Sequence, residues 1–177
     1  MSKPSRAVTS QSWLSKLRRW SLEVLVLGGI IVLIILWQQR NMLAADGSVS
    51  VPNTYFVTLD GETRALLAQD KPTLLYFFAP WCQVCELSVN NVDAFDANKV
   101  NVVKVALSYQ NLNEIEAFAT RTQTQRNIVL GNQQTQADFN ITAFPSVYII
   151  DEAGAIVGRS RGYTTSLGYK LRLAFGT

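Results

Sequence analysis

The 177-residue sequence predicts an α/β fold, a sandwich around a central mixed sheet, with one transmembrane helix ahead of it. Three observations carry that prediction. Two apolar runs of strand length, Thr73–Phe78 (TLLYFF) and Ser146–Asp151 (SVYIID), have the unbroken hydrophobicity of strands buried on both faces. Between and after them, apolar residues recur at helical spacing. Finally, the 14 residues from Val24 to Trp37 carry no charge and are all apolar or glycine.

Charge is unevenly divided. Residues 1–19 hold Lys3, Arg6, Lys16, Arg18 and Arg19 and no acid, whereas residues 41–177 hold ten basic and twelve acidic side chains. The net +3 therefore belongs to a short basic tail, and the later part is mildly acidic. Nothing there resembles the basic stripe that nucleic-acid binding needs, so no nucleic acid is expected as a partner. Residues 20–37, WSLEVLVLGGIIVLIILW, would rise about 27 Å as a helix, against roughly 30 Å of bilayer hydrocarbon. Tryptophans at both ends suit the two interfaces. Glu23, one turn in, is placed to reach the interface or to pair with Arg18 or Arg19. Five positive charges before the segment, against Arg40 close after it, predict an N-terminus inside the cytoplasm and a C-terminus outside.

A cleaved signal peptide is the rival. Its apolar core would be shorter, and the best small-residue site, near Ala44-Ala45, has Met42 or Leu43 at the −3 position. The expected organisation is a basic cytoplasmic tail (1–19), an uncleaved signal-anchor in the lipid bilayer (20–37), a linker (38–52) and one folded domain (53–177). The chain would cross the inner membrane once, with the domain in the periplasm or another extracytoplasmic space. Disulfide chemistry is permitted there.

Residues 38–51 are polar, small and unpatterned, as in a tether. After Asn53, TYFVTLDGETR has the form of a short hairpin tightly turned at Asp60-Gly61, and Ala65–Gln69 that of a helical turn. Thr73–Phe78 is the first buried strand, ended by Ala79-Pro80-Trp81. From Cys82 the period changes: Cys85, Val89 and Val92, with Phe95 beside them, form a helical stripe. Val100–Leu107 reads as a strand, Asn113–Arg121 as a helix capped by Asn111 or Asn113, Ile128–Leu130 as a strand and Gln133–Phe139 as a helical turn. Ser146–Asp151 is the next strand. A turn at Glu152-Ala153-Gly154 leads into a hairpin partner over Ala155–Gly158. Leu167, Leu171, Ala174 and Phe175 close the chain at helical spacing. The order βαβα then ββα gives parallel pairs through crossovers and antiparallel pairs through hairpins.

Two cysteines and no histidine remove whole classes of chemistry. Ser-His and Cys-His nucleophiles are excluded, and so are histidine zinc sites; two thiols cannot complete an all-cysteine one. The sequence calls for no metal and no cofactor. APWCQVC (Ala79–Cys85) puts Cys82 where a strand ends and a helix begins. Unpaired N–H groups and the positive end of the helix dipole favour a thiolate there. Cys85 lies one turn on, on the same face, placed to attack a mixed disulfide at Cys82. Its position on the apolar stripe makes it the buried, resolving partner. A purely structural bridge is the rival, but so short a loop gains little from cross-linking. Phe144-Pro145 stands just ahead of SVYIID, where a proline is tolerated as a strand begins.

These motifs carry a resemblance. Residues 53–177 resemble the thioredoxin superfamily, most closely its membrane-anchored, extracytoplasmic TlpA-like branch, through YFFAPWCQVC (Tyr76–Cys85), FPSVYIID (Phe144–Asp151) and the glycine-bearing turn and strand that follow. The resemblance implies a thioredoxin-like fold and a protein-disulfide oxidoreductase acting on cysteine-containing protein substrates. It also implies a membrane thiol–disulfide electron donor or acceptor as partner. Catalytic roles fall to Cys82, attacking, and Cys85, resolving. Substrate contact falls to Trp81, to the Phe144 backbone and to a cis Pro145 packed beside the cysteines. Departures from the family pattern accompany it. Tyr76 stands where thioredoxins carry a buried aspartate, and Ser88 where TlpA-like proteins often carry a glutamate. Gln83-Val84 is neither Gly-Pro nor Pro-His. Glu86 is the nearest acid, but its helix position turns it away from Cys85.

The expected direction is reduction or reshuffling of disulfides in other proteins, with thiol oxidation as the alternative. A peroxiredoxin-like peroxidase would need a Pro and a Thr or Ser where Leu75 and Ala79 stand. A copper-handling assembly factor of the Sco kind would need CxxxC and a histidine; only a two-thiolate Cu(I) site remains chemically open.

Overall fold

The computed structural model describes residues 11–124 and 126–175, with side chains from Trp20 onward except at 22, 35, 36, 38 and 175. Two units separate between Arg40 and Asn41. The first carries one long helix, α1 (Gln11–Gln39), which begins well ahead of the span expected at Trp20. Val24 to Leu27 and Ile30 to Ile34 are exposed along it, as are Trp20 and Trp37. Arg40 lies over the Trp37 ring, 5.0 Å from its centroid. Among the described residues no helix is long and apolar enough to cross a membrane. Leu22, Ile35 and Leu36, inside the apolar run, lie outside the described side chains. So do residues 1–10 of the basic tail and the side chains of Arg18 and Arg19.

The second unit opens with a hairpin of β1 (Tyr55–Val57) and β2 (Thr63–Ala65). A five-stranded sheet follows, made of β3 (Thr73–Phe78), β4 (Asn101–Ala106), β5 (Ile128–Leu130), β6 (Ser146–Ile150) and β7 (Ile156–Arg161). Across the sheet the order is β5-β4-β3-β6-β7. β4 runs parallel to both β3 and β5, while β6 runs antiparallel to both β3 and β7. This is the mixed sheet that crossovers and hairpins predict. The central β3 is buried at every position, which is why its sequence shows no alternation.

Pleating sends successive side chains to opposite faces. Leu74, Tyr76 and Phe78 face one layer, with α2 (Gln83–Asp93), α3 (Leu112–Thr122) and α5 (Ser166–Phe175) represented by Cys85, Val89, Ile115, Phe118 and Tyr169. Leu75 and Phe77 face the other. There Met42, Val51, Leu66, Leu67 and Phe139 complete a second core beside α4 (Gln133–Asp138). Each such fully buried apolar side chain stabilises the unit by about 1.5–3 kcal/mol.

Three local expectations change. The stretch 41–51, read as part of a free linker over 38–52, is docked: Met42 and Val51 are buried. Gly47 N–H and Val49 C=O bond to Ile156, and Val51 N–H bonds to Gly154 C=O. Gly154 has φ +86°, and a Cβ there would meet the Val51 carbonyl at 3.3 Å, so the turn and this strap require glycine together. Ala65–Gln69 is not helical. Leu66 N–H goes to Thr54 C=O, Leu67 N–H to Asn53 Oδ1, and Ala68 N–H to Thr73 Oγ1. Those partners bury both leucines without a helix. The first hairpin also turns more widely than a two-residue loop: Thr58 N–H reaches Glu62 C=O, and Gly61, at φ +85°, closes back on Thr58.

Candidate active site

β3 ends at Phe78, and the chain turns through Ala79-Pro80-Trp81 into α2. The turn is closed by Cys82 N–H on the Ala79 carbonyl at 3.0 Å. Cys82 is the N-cap of α2, with extended φ −85°, ψ 106°, and its sulfur accepts the Cys85 N–H at 3.2 Å. A sulfur in that position takes the place of the oxygen that usually satisfies the free N–H groups of a helix start. Cys82 and Cys85 are joined as a disulfide, Cα atoms 5.2 Å apart. Cys82 retains 7% exposure and Cys85 none, so of the two residues only Cys82 reaches the surface.

The other expected residues surround this pair unevenly. Trp81 is 65% exposed yet held: its Nε1–H donates to the Ser108 carbonyl at 3.0 Å, and its ring meets Phe144 edge-on, centroids 5.8 Å apart. Ser108 has φ +52°, a left-handed conformation uncommon for a serine. The Phe144–Pro145 bond is cis. Pro145 is buried, and its carbonyl accepts the Gly162 N–H at 2.8 Å. Because Ser146 pairs with Phe77, Pro145 lies alongside the end of β3 that feeds the cysteine turn. Glu86 turns away from Cys85 to an ion pair with Arg121 of α3 at 2.5 Å, and Arg121 also donates to the Pro80 carbonyl.

Two features under the site were not read from sequence. Tyr76 and Ser88, noted only as departures, meet each other: the Tyr76 hydroxyl is 2.8 Å from Ser88 Oγ and 3.2 Å from the Cys85 carbonyl. Burial pushes the Tyr76 phenol up, well above its usual value. Lys104, 1% exposed on β4, is the register partner of Tyr76. Its ammonium bonds to Asp93 and Thr124, each at 2.5 Å, and Thr124 in turn bonds to Asp93. Burial pulls the Lys104 amine down, against the pull of Asp93. A lysine inside the apolar run NVVKVA is the signal from which it could have been read.

The thioredoxin-like domain family matches residues 59–171. The thioredoxin-like protein YneN of Bacillus subtilis (strain 168) is 32% identical over 59% of this chain, and the chain spans 65% of YneN's own length. A thioredoxin-like protein of Haemophilus influenzae is 30% identical, over 66% of this chain and 71% of that one. Among solved structures, StoA from Bacillus subtilis superposes with a TM-score of 0.61 at 25% identity, covering 70% of this chain and 98% of StoA. A cysteine pair at a strand–helix junction, one residue reaching the surface, on this sheet order and with these relatives, has one assignment. The chain belongs to the thioredoxin-like domain family, has neighbours from the TlpA-like thiol–disulfide oxidoreductase group, and is an oxidoreductase.

Proposed function

We propose that the chain exchanges disulfides with cysteine-containing proteins outside the cytoplasm, Cys82 attacking and Cys85 resolving, and that it works as a reductase or isomerase. The observation that carries this is the asymmetry of the pair: the Cys82 sulfur caps α2 and accepts an N–H, and Cys82 keeps a small exposure, while Cys85 is sealed. A thiolate at a helix N-terminus is stabilised by the same N–H and dipole. Trp81, Phe144 and Pro145 would form the surface on which a substrate chain lies, Trp81 as a rigid wall. Residues 1–19 would be the tail, 20–37 the anchor and 53–177 the domain, with the docked stretch from Asn41, first read as linker, counted with the domain. Exposed apolar side chains along α1, with five basic residues before them, support an inner-membrane anchor and a membrane electron partner.

The test uses the full chain in its native membrane. Cys85→Ser should accumulate mixed disulfides with other proteins, lost on reduction, whereas Cys82→Ser should form none. The reverse pattern would exchange the two roles. Release of the chain by alkaline carbonate would remove the anchor from the proposal.

A further inference from the structure

Beneath Cys85 one phenol joins two turns of α2. Ser88, fully buried, is placed to donate to the Val84 carbonyl at 2.8 Å, and its Oγ lies 2.8 Å from the Tyr76 hydroxyl, where either group can donate. The Tyr76 hydroxyl also donates to the Cys85 carbonyl at 3.2 Å. One side chain of the central strand thus ties the turn of α2 that carries Cys85 to the turn after it.

Among the described residues nothing facing Cys85 is a base. From β3 comes Tyr76 and from α5 Tyr169, both fully buried. Their phenols are pushed up by burial, Tyr169 to about 12, and stay protonated at neutral pH. Lys104 of β4 shares the Tyr76 face but is held by Asp93, the last residue of α2, and by Thr124. Arg121 of α3 holds Glu86. From β6 this face receives Val147, and the pleat turns Arg159 and Arg161 of β7 to the opposite side. On α5, Lys170 is exposed and Arg172 donates to the Gly168 carbonyl.

We propose that Cys85 resolves mixed disulfides without an internal base, and that Tyr76 is the positioning residue that holds its turn against Cys82. The inference rests on the exchange roles given above. In the resolving step the Cys85 sulfur attacks the Cys82 sulfur and a new S–S bond forms. The bond from Cys82 to the substrate sulfur breaks, its electron pair leaving on that sulfur. The Cys85 proton passes through solvent to the departing thiolate. One thiol and one disulfide stand on each side.

The experiment mixes the reduced full chain, in detergent, with 5,5′-dithiobis(2-nitrobenzoate) in a stopped-flow instrument. Attack by Cys82 releases one thionitrobenzoate, and resolution by Cys85 releases the second. Without an internal base, the second phase should rise about tenfold per pH unit from pH 6 to 8, since an ordinary thiol titrates near about 8.5. Tyr76→Phe should slow that phase at least about fivefold at every pH, keep its slope and leave the first phase unchanged. Ser88→Ala, the milder change, should act in the same direction and serves if Tyr76→Phe fails to fold. An inflection in the wild-type second phase below pH 7.5, a changed slope in Tyr76→Phe, or no slowing in either variant would overturn the inference. A missing first phase would instead overturn the role of Cys82, and the inference with it.

Discussion

At the scale of single residues, Trp81 combines exposure with fixation. An exposed indole held by the Ser108 carbonyl and the Phe144 edge loses little entropy when a substrate covers it. Its removal forfeits one hydrogen bond and one aromatic contact, about 1–2 kcal/mol of stability together. Trp81→Ala should therefore lower the rate with a folded or peptide disulfide by about 3- to 10-fold, roughly 0.7–1.4 kcal/mol. Reaction with a small linear disulfide should be unchanged. Paired assays of both substrates make the check, and an equal loss in the two would mean that Trp81 shapes Cys82 rather than a substrate surface. The cysteines were legible from sequence because the period changes at Cys82, which marks a helix start whatever the tertiary fold. The Trp81 clamp was not. Ser108 lies 27 residues away, beyond any local pattern, and its left-handed backbone leaves no mark on a serine. Tyr76 and Ser88 were visible only as missing acids, because their mutual bond exists only once β3 and α2 pack.

At the scale of elements, apolar runs announced β3 and β6 and also the three-residue β5, which Gly131 ends. A Cβ at Gly131 would meet Leu107 and Val105 side-chain atoms within 3 Å, so the chain needs glycine as it leaves the sheet. The strap over residues 41–51 escaped detection for a physical reason. Its backbone bonds go to β7 and the preceding turn, and its anchors are Arg159, donating to the Met42 and Leu43 carbonyls, and the Tyr148 hydroxyl, accepting from Leu43 N–H. None of those partners lies within 100 residues of it. The strap buries Met42 and Val51 fully and Leu43 and Val49 in part. A shortened chain beginning at Asn53 should thus be less stable than one beginning at Asn41 by about 3–6 kcal/mol, at about 1.5–3 for each fully buried apolar side chain. Urea midpoints of the two read this out, and equal midpoints would make the strap a passive passenger.

At the scale of the whole molecule, the reduction potential reports how much the fold favours the Cys82 thiolate over the disulfide. Strong oxidants owe their potential to a reduced form that is heavily stabilised. Here the identified support is one N–H on the Cys82 sulfur and the dipole of an 11-residue helix. Arg121, the cation that reaches the Pro80 turn, is bonded to Glu86 and to the Pro80 carbonyl, and Gln83-Val84 adds no charge. Beneath Cys85 lie the Tyr76 and Ser88 hydroxyls, and the buried Lys104 ammonium on the same face is held by Asp93 and Thr124. The pair should therefore equilibrate near about −270 mV and not near about −120 mV, a gap worth roughly 7 kcal/mol for two electrons. Glutathione-buffer titration of the full chain in detergent measures it. Glu86→Gln would free the Arg121 charge; at about 0.5–1 kcal/mol for a surface charge, the potential should rise by about 10–20 mV. A wild-type value near the oxidising end would mean that the thiolate has a stabiliser other than the helix start, and would reverse the proposed direction of electron flow.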